Sequence, residues 1–192
     1  MKKVLVIGAN GSLAQYVIEE LEKRNDVQLT LFLRNRSRLN NTNLKDAVIV
    51  QVDVMDYSRL TDAMGGQDIV YVNLAGNLEA MAKNIVRAMQ ETGVKRIIAI
   101  SSIGIYKTPL QPVLVPYRKL ADVIEASGLD YTILRADWFT HGNEVEYQLT
   151  PKGEPEKGSA ISRKSIASFI GELVDHPEKH VRENLNIARP NR

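Results

Sequence analysis

The chain has 192 residues, 44% hydrophobic and 25% charged, with 25 basic against 23 acidic side chains and no cysteine. That length suits one domain with a single large core and leaves no room for a second substrate domain. A net charge of +2 spread along the chain provides no strong field for nucleic acid or acidic lipid. Without cysteine, and with three scattered histidines, a thiolate nucleophile, a disulfide framework and most zinc sites are excluded, so no metal is expected.

The first apolar run, VLVIGA from residue 4, is too short for a signal peptide or a membrane span. It reads as the strand KVLVIG of a cytoplasmic protein with neither membrane nor nucleic acid as a partner. A helix from Ser12 to Lys23 follows. Between strand and helix, Gly8, Gly11 and Ala14 form a GxxGxxA turn. Gly8 permits a tight turn, Gly11 lets backbone N–H groups approach a pyrophosphate, and Ala14 keeps the helix close to the sheet. Asn10, Ser12 and Leu13 fall in the same cradle, so a dinucleotide is the expected ligand.

The second strand, VQLTLFLR, ends on Arg34, followed by Asn35, Arg36 and Arg38. An acidic residue there would hold the ribose 2′-hydroxyl of NAD, whereas a guanidinium grips a 2′-phosphate. The alternative is a solvated basic loop; the position favours NADP(H). The third strand, AVIVQVD, leads to Asp53 and Val54, placed to border the adenine, although Asp53 alone also fits a plain strand-end turn. A short helix is expected from Ser58 to Met64, then the strand DIVYVNLA. Its NLAG turn, Asn73 to Gly76, would pass Leu74, Ala75 and Gly76 under the nicotinamide ribose.

A helix from Leu78 to Thr92 closes on Gly93, the strand RIIAISS ends in Ser101 and Ser102, and a helix from Pro116 to Ser127 closes on Gly128. The strand DYTILRA carries Arg135. The stretch His141 to Gly158, with Pro151, Gly153, Pro155 and Gly158, reads as loop. A last helix, Arg163 to Val174, is capped by Ser162 and stopped before Pro177, and LNIA is a possible edge strand. Strands alternating with helices predict an α/β fold: a Rossmann-type, doubly wound parallel sheet with helices on both faces, in three layers. Residues 1–192 form one NAD(P)-binding domain with a small substrate-loop region around 137–160.

The segments GANGSLA, LFLRN, DVMD, NLAG, AISSIGIY, SGLDYTILRA and ISRKSIASFI together resemble the atypical short-chain dehydrogenase/reductase proteins of the NmrA-like, NAD(P)H-binding kind. That resemblance implies a serine that polarises the substrate oxygen, a tyrosine that donates a proton and a lysine four residues on. Ser102 matches the serine and Lys119 the lysine, which can hold the ribose, but Val115 stands where the tyrosine belongs. Tyr117 and Tyr106 are the substitutes available, each equally readable as packing or loop structure. Two residues apart on a helix, Tyr117 and Lys119 should point about 200° apart. Arg135 and Ser101 join the cofactor residues. Trp138 could stack on a flat substrate or cap the core, and His141 could donate a proton or sit on the surface. Arg163 reads as structural.

Two functions remain. One is an NADP(H)-dependent oxidoreductase passing hydride to a small acceptor, such as a quinone, flavin or conjugated carbonyl. The other is a non-catalytic redox sensor of NmrA type that reports NADP(H) to a partner protein. A homodimer is compatible with both.

Overall fold

The computed structural model describes residues 1–39, 44, 46–158 and 160–190; Ser159, within the substrate-loop region expected from the sequence, lies outside them. The strands of the main sheet are β1 (Lys2–Ile7), β2 (Val27–Leu33), β3 (Val48–Gln51), β4 (Ile69–Val72), β5 (Arg96–Ser102) and β6 (Asp130–Ala136). The helices are α1 (Ser12–Leu21), α2 (Tyr57–Met64), α3 (Leu78–Thr92), α4 (Val115–Glu125) and α5 (Arg163–Asp175).

Because successive strand side chains point to opposite faces, the apolar run of β1 serves two cores at once. Val4 and Val6 pack with residues of α1 and α5. Leu5 and Ile7 pack with residues of α2, α3 and α4. Both faces of the sheet are therefore covered, giving the expected three layers. The order is β3-β2-β1-β4-β5-β6, continued by β10 (Glu183–Ala188) and β8 (Gln148–Pro151). It reverses between β1 and β4, and this switch point opens the crevice at the carboxyl ends of the strands.

Two sequence expectations fail at the far edge. LNIA belongs to β10 and is not an edge strand: it pairs parallel with β6, Leu185 opposite Leu134, and antiparallel with β8, Asn186 opposite Thr150. Its burial on both sides, with Ile187 fully buried, follows from β8 lying outside it. Nor is 141–158 all loop, since it supplies β8, and a separate parallel pair joins β7 (Trp138–Thr140) to β9 (Ala160–Ser162). Pro151 is the last residue of β8, opposite Leu185, and Gly153, Pro155 and Gly158 fall between β8 and β9.

The caps of α3 and α5 agree with the sequence, but Gly128 does not close α4, which ends at Glu125 on Ala126 as its cap. Ser162 Oγ accepts from Ser165 N at 3.0 Å to open α5, and Gly93 ends α3 in the left-handed region at φ 78°. α1 stops at Leu21 and α4 begins at Val115, after a 3₁₀ turn over Pro112–Leu114. Among the described residues no helix is long and apolar enough to cross a membrane, and no group of three or more His, Asp or Glu could hold a metal ion.

Candidate functional site

The carboxyl ends of β1 to β6 rim one cavity of about 1540 Å³. Its floor at the switch point is the turn from β1 to α1. Gly8 has φ +86°, and a Cβ on it would collide with the Asn73 carbonyl oxygen at the end of β4. The Gly8 and Ala9 amides donate to Phe32 O at 3.0 and 3.3 Å, which fastens the turn to β2. Gly11 is the N-cap of α1 at φ −64°, ψ 146°, with no capping side chain and no acidic residue in the first turn. The amides at this helix end, and the positive end of its dipole, are thus left for an anion.

Asn10 donates from Nδ2 to Asn35 O at 2.9 Å, while its Oδ1 is buried with no partner. An uncapped helix end over a turn too tight for a Cβ fits the pyrophosphate of a dinucleotide, and the orphaned Asn10 Oδ1 calls for a donor, which a dinucleotide carries in its ribose hydroxyls. Of the other cradle residues, Ser12 is exposed and Leu13 buries its side chain in the core, which leaves Leu13 only its backbone to offer a ligand.

Along the rim, Arg34 is 73% exposed with Nη1 4.0 Å from Asp53 Oδ2. Asn35 Oδ1 accepts from Ser37 N and Oγ at 3.0 and 2.7 Å, fixing the turn that carries Arg36 and Arg38. Arg34, Asn35 and Arg38 line the cavity; so do Asp53, Val54, Leu74 and Ala75. Asp53 Oδ1 accepts from Met55 N at 2.8 Å. Gly76, at φ +105°, lies outside the lining and accepts from Leu78 N at 2.8 Å at the start of α3.

The opposite half of the cavity is built on the ends of β5 and β6. Ser101 and Ser102 both line it. Ser101 Oγ donates to the Tyr117 carbonyl at 3.1 Å, and Ser102 Oγ to Ile103 O at 3.1 Å. Tyr117 faces the cavity. Lys119, turned to another side of α4, is outside the lining, with Nζ 3.2 Å from Glu79 Oε2. Hydrogen bonds from Lys83 and Lys119 lower the Glu79 carboxyl below its usual range.

Tyr106 is also outside the lining. Its hydroxyl accepts from Asn184 Nδ2 at 2.8 Å, and its ring lies 4.6 Å from Lys152 Nζ. Burial, then the nearby Glu125 carboxylate, push its hydroxyl above the usual tyrosine range. Arg135 is 1% exposed, donating from Nε to Asn184 Oδ1 at 2.8 Å and from Nη1 to Glu156. It supports the cavity from beneath. Glu156, which no sequence pattern flagged, faces the cavity and accepts from Gly104 N at 2.9 Å.

At the mouth stand Trp138, 82% exposed, Val113, 69% exposed, and Phe139. The loop after β5 adds Lys107 and Gln111. Their only sequence signal was position, since ligands of such sheets bind beyond the strand ends. His141 is exposed and lies outside the cavity.

A family model described as NAD(P)H-binding matches residues 8–177. A Rossmann-fold NAD(P)-binding family protein from Shigella flexneri is 42% identical, with a TM-score of 0.93 over 100% of this chain and 95% of that one. A short-chain dehydrogenase/reductase from Veillonella parvula, solved in complex with NADP, shares the fold at 22% identity and a TM-score of 0.90, over 99% and 95% of the two chains. Quinone oxidoreductase 2 of Escherichia coli is 28% identical over 144 residues, covering 71% of this chain and 49% of that protein.

Proposed function

Since this chain belongs to the NAD(P)H-binding family, we propose that it is an NADP(H)-dependent oxidoreductase passing hydride to a small acceptor: a quinone, a flavin or a conjugated carbonyl. The observation that carries this reading is one cavity with two unlike ends. Its volume of about 1540 Å³ exceeds the roughly 300–1,000 Å³ of a pocket for one drug-sized ligand. One end offers backbone amides and arginines for a phosphorylated ligand. The other offers Trp138, Phe139, Val113 and Leu114 for a flat, apolar one.

Gly8, Gly11 and the first turn of α1 would hold the pyrophosphate, while the unpaired Oδ1 of Asn10 would accept from a donor of the dinucleotide such as a ribose hydroxyl. Arg34 and Arg38 would take the 2′-phosphate, which selects NADP(H) over NAD(H). Asp53 and Val54 would border the adenine, and Leu74 and Ala75 the nicotinamide ribose. Bound NADPH supplies the hydride. Ser102 would orient the acceptor, and Ser101 holds the start of α4 so that Tyr117 faces inward.

Tyr117 faces the cavity, but the other two groups of a proton-donating set are poorly placed for ketone reduction. Tyr106 is engaged with Asn184, and Lys119 faces Glu79 away from the cavity. Conjugated acceptors tolerate this, because solvent protonates the product after hydride has moved. The same two contacts are what favour the second reading, a sensor that binds NADP(H) without turnover.

NADPH oxidation, followed by nicotinamide absorbance against quinones, flavins and conjugated aldehydes, tests the proposal. Steady turnover of one class is expected. Tight NADPH binding with no turnover across the panel would favour the sensor instead.

A further inference from the structure

The arginine that opens α5 reaches two ways. Arg163 Nε points to Ser12 Oγ, at the first residue of α1, at 3.4 Å. Its Nη1 donates to the Thr140 carbonyl of β7 at 3.1 Å, and its guanidinium carbon lies 5.4 Å from the centre of the Phe139 ring. Among the described residues it has no carboxylate within ion-pair distance. A cation without a counter-ion therefore stands beside a helix end that has neither a capping side chain nor an acid in its first turn.

We propose that Arg163 is a positioning residue that grips the dinucleotide pyrophosphate at the start of α1 and ties its arrival to the acceptor wall, Trp138 and Phe139. The inference rests on the dinucleotide reading above. A guanidinium has five N–H donors in a planar fork, so Arg163 can hold Thr140 O with one and turn others to a phosphate. Phe139 packs against the core beside α1 and α5, whereas Trp138 is 82% exposed. Among the described residues β7 pairs with β9 alone, through three residue pairs outside the main sheet. Trp138, the single tryptophan of the chain, sits in that strand at the cavity mouth. Drawing Arg163 toward the pyrophosphate pulls on Thr140 O and the Phe139 ring, and so changes the surroundings of Trp138.

The test compares the wild type with Arg163→Gln and Arg163→Lys. Each is titrated calorimetrically with NADP⁺ and with adenosine 2′-monophosphate, which carries the 2′-phosphate but no pyrophosphate, while Trp138 fluorescence is recorded. One charge-assisted bond at a partly exposed site is worth about tenfold in affinity. Arg163→Gln should weaken NADP⁺ about tenfold, leave adenosine 2′-monophosphate unchanged and remove the fluorescence response to NADP⁺. Arg163→Lys should regain affinity through its charge but not the fluorescence response, since a single ammonium cannot span both contacts. Wild-type NADP⁺ affinity in Arg163→Gln overturns the inference, as does an equal loss for both ligands, which marks general damage. A wild-type chain that binds neither ligand overturns the dinucleotide reading and this inference with it.

Discussion

The two glycines of the first turn should separate folding from binding. At Gly8, any side chain meets two penalties. The residue has φ +86°, a region that costs a non-glycine residue about 1–2 kcal/mol. Its Cβ would also strike the Asn73 carbonyl. That oxygen belongs to backbone that cannot swing aside, because Asn73 N is bonded to Ile7 O at 3.0 Å where β1 and β4 run side by side. Overpacking of this kind adds about 1–3 kcal/mol. Gly8→Ala should therefore lose about 2–5 kcal/mol, and at roughly 2–4 °C per kcal/mol for a domain of this size its Tm should fall by about 4–20 °C. Gly11 has φ −64°, open to any residue, and its added Cβ would lie 3.0 Å from the Asn73 side-chain amide and 3.3 Å from the Gly8 carbonyl oxygen. The side chain can give way and the carbonyl need shift only slightly, so Gly11→Ala should lose about 1 kcal/mol, well short of Gly8→Ala. Its methyl would still stand where the pyrophosphate must approach the backbone, and Gly11→Val more so. Thermal melts with calorimetric NADPH titration should find Gly8→Ala unstable, and Gly11→Ala near the wild-type Tm with at least tenfold weaker binding. A Gly11→Ala chain that binds NADPH like the wild type would refute the reasoning.

Arg34→Asp should weaken NADP(H) far more than NAD(H) in parallel titrations, and a uniform loss would remove Arg34 from the 2′-phosphate site. Glu156→Gln leaves the Arg135 charge without its partner beneath the cavity, where such a loss costs about 3–5 kcal/mol; a change under about 1 kcal/mol in urea midpoints would show that the pair is not needed. The Arg24 hydrogen bond holds the Asp175 carboxyl below its usual 3.8. A depressed carboxylate stabilises the fold above that value and stops doing so as pH falls through the folded one, so Arg24→Ala should lessen the loss of stability between pH 5 and pH 2, and an unchanged acid limb would contradict this. Replacing Tyr106 or Tyr117 by Phe should change turnover of a quinone less than about threefold if solvent supplies the proton, whereas a collapse of kcat in Tyr117→Phe with NADPH binding intact would make that cavity-facing hydroxyl the acid.

What the sequence made legible is the half of the molecule governed by local rules. The period of the strands, the glycine turn and the caps at Ser162 and Gly93 each depend on neighbours in sequence, and each has its expected form in the structure. The 200° offset between Tyr117 and Lys119 is another such rule, and it sends one to the cavity and the other to Glu79. Long-range pairing was not legible. Nothing near Glu156 announces that it meets Arg135, 21 residues away, and the Gly104 amide, 52 away. β8 was hidden among glycines and prolines because its partner, β10, lies at the far end of the chain. Arg135 looked like a ligand residue because it ends a strand, yet its partners Asn184 and Glu156 keep it under the floor.

The two halves of the cavity are consequently built to different standards of rigidity. The dinucleotide half is made of backbone at the ends of central strands, with the β1–α1 turn fastened to β2 and β4 by Gly8 N, Ala9 N and Asn73 N. Moving it means opening the core. The half proposed for the acceptor is hung from side chains: Glu156 between Arg135 and Gly104 N, and Ser101 on the Tyr117 carbonyl. Each of these links can be lost singly. A cavity made this way can keep its grip on one large, charged ligand while its mouth adapts to small acceptors of different shape, and variation at the acceptor-side links should therefore alter which acceptor is used before it alters which dinucleotide is held.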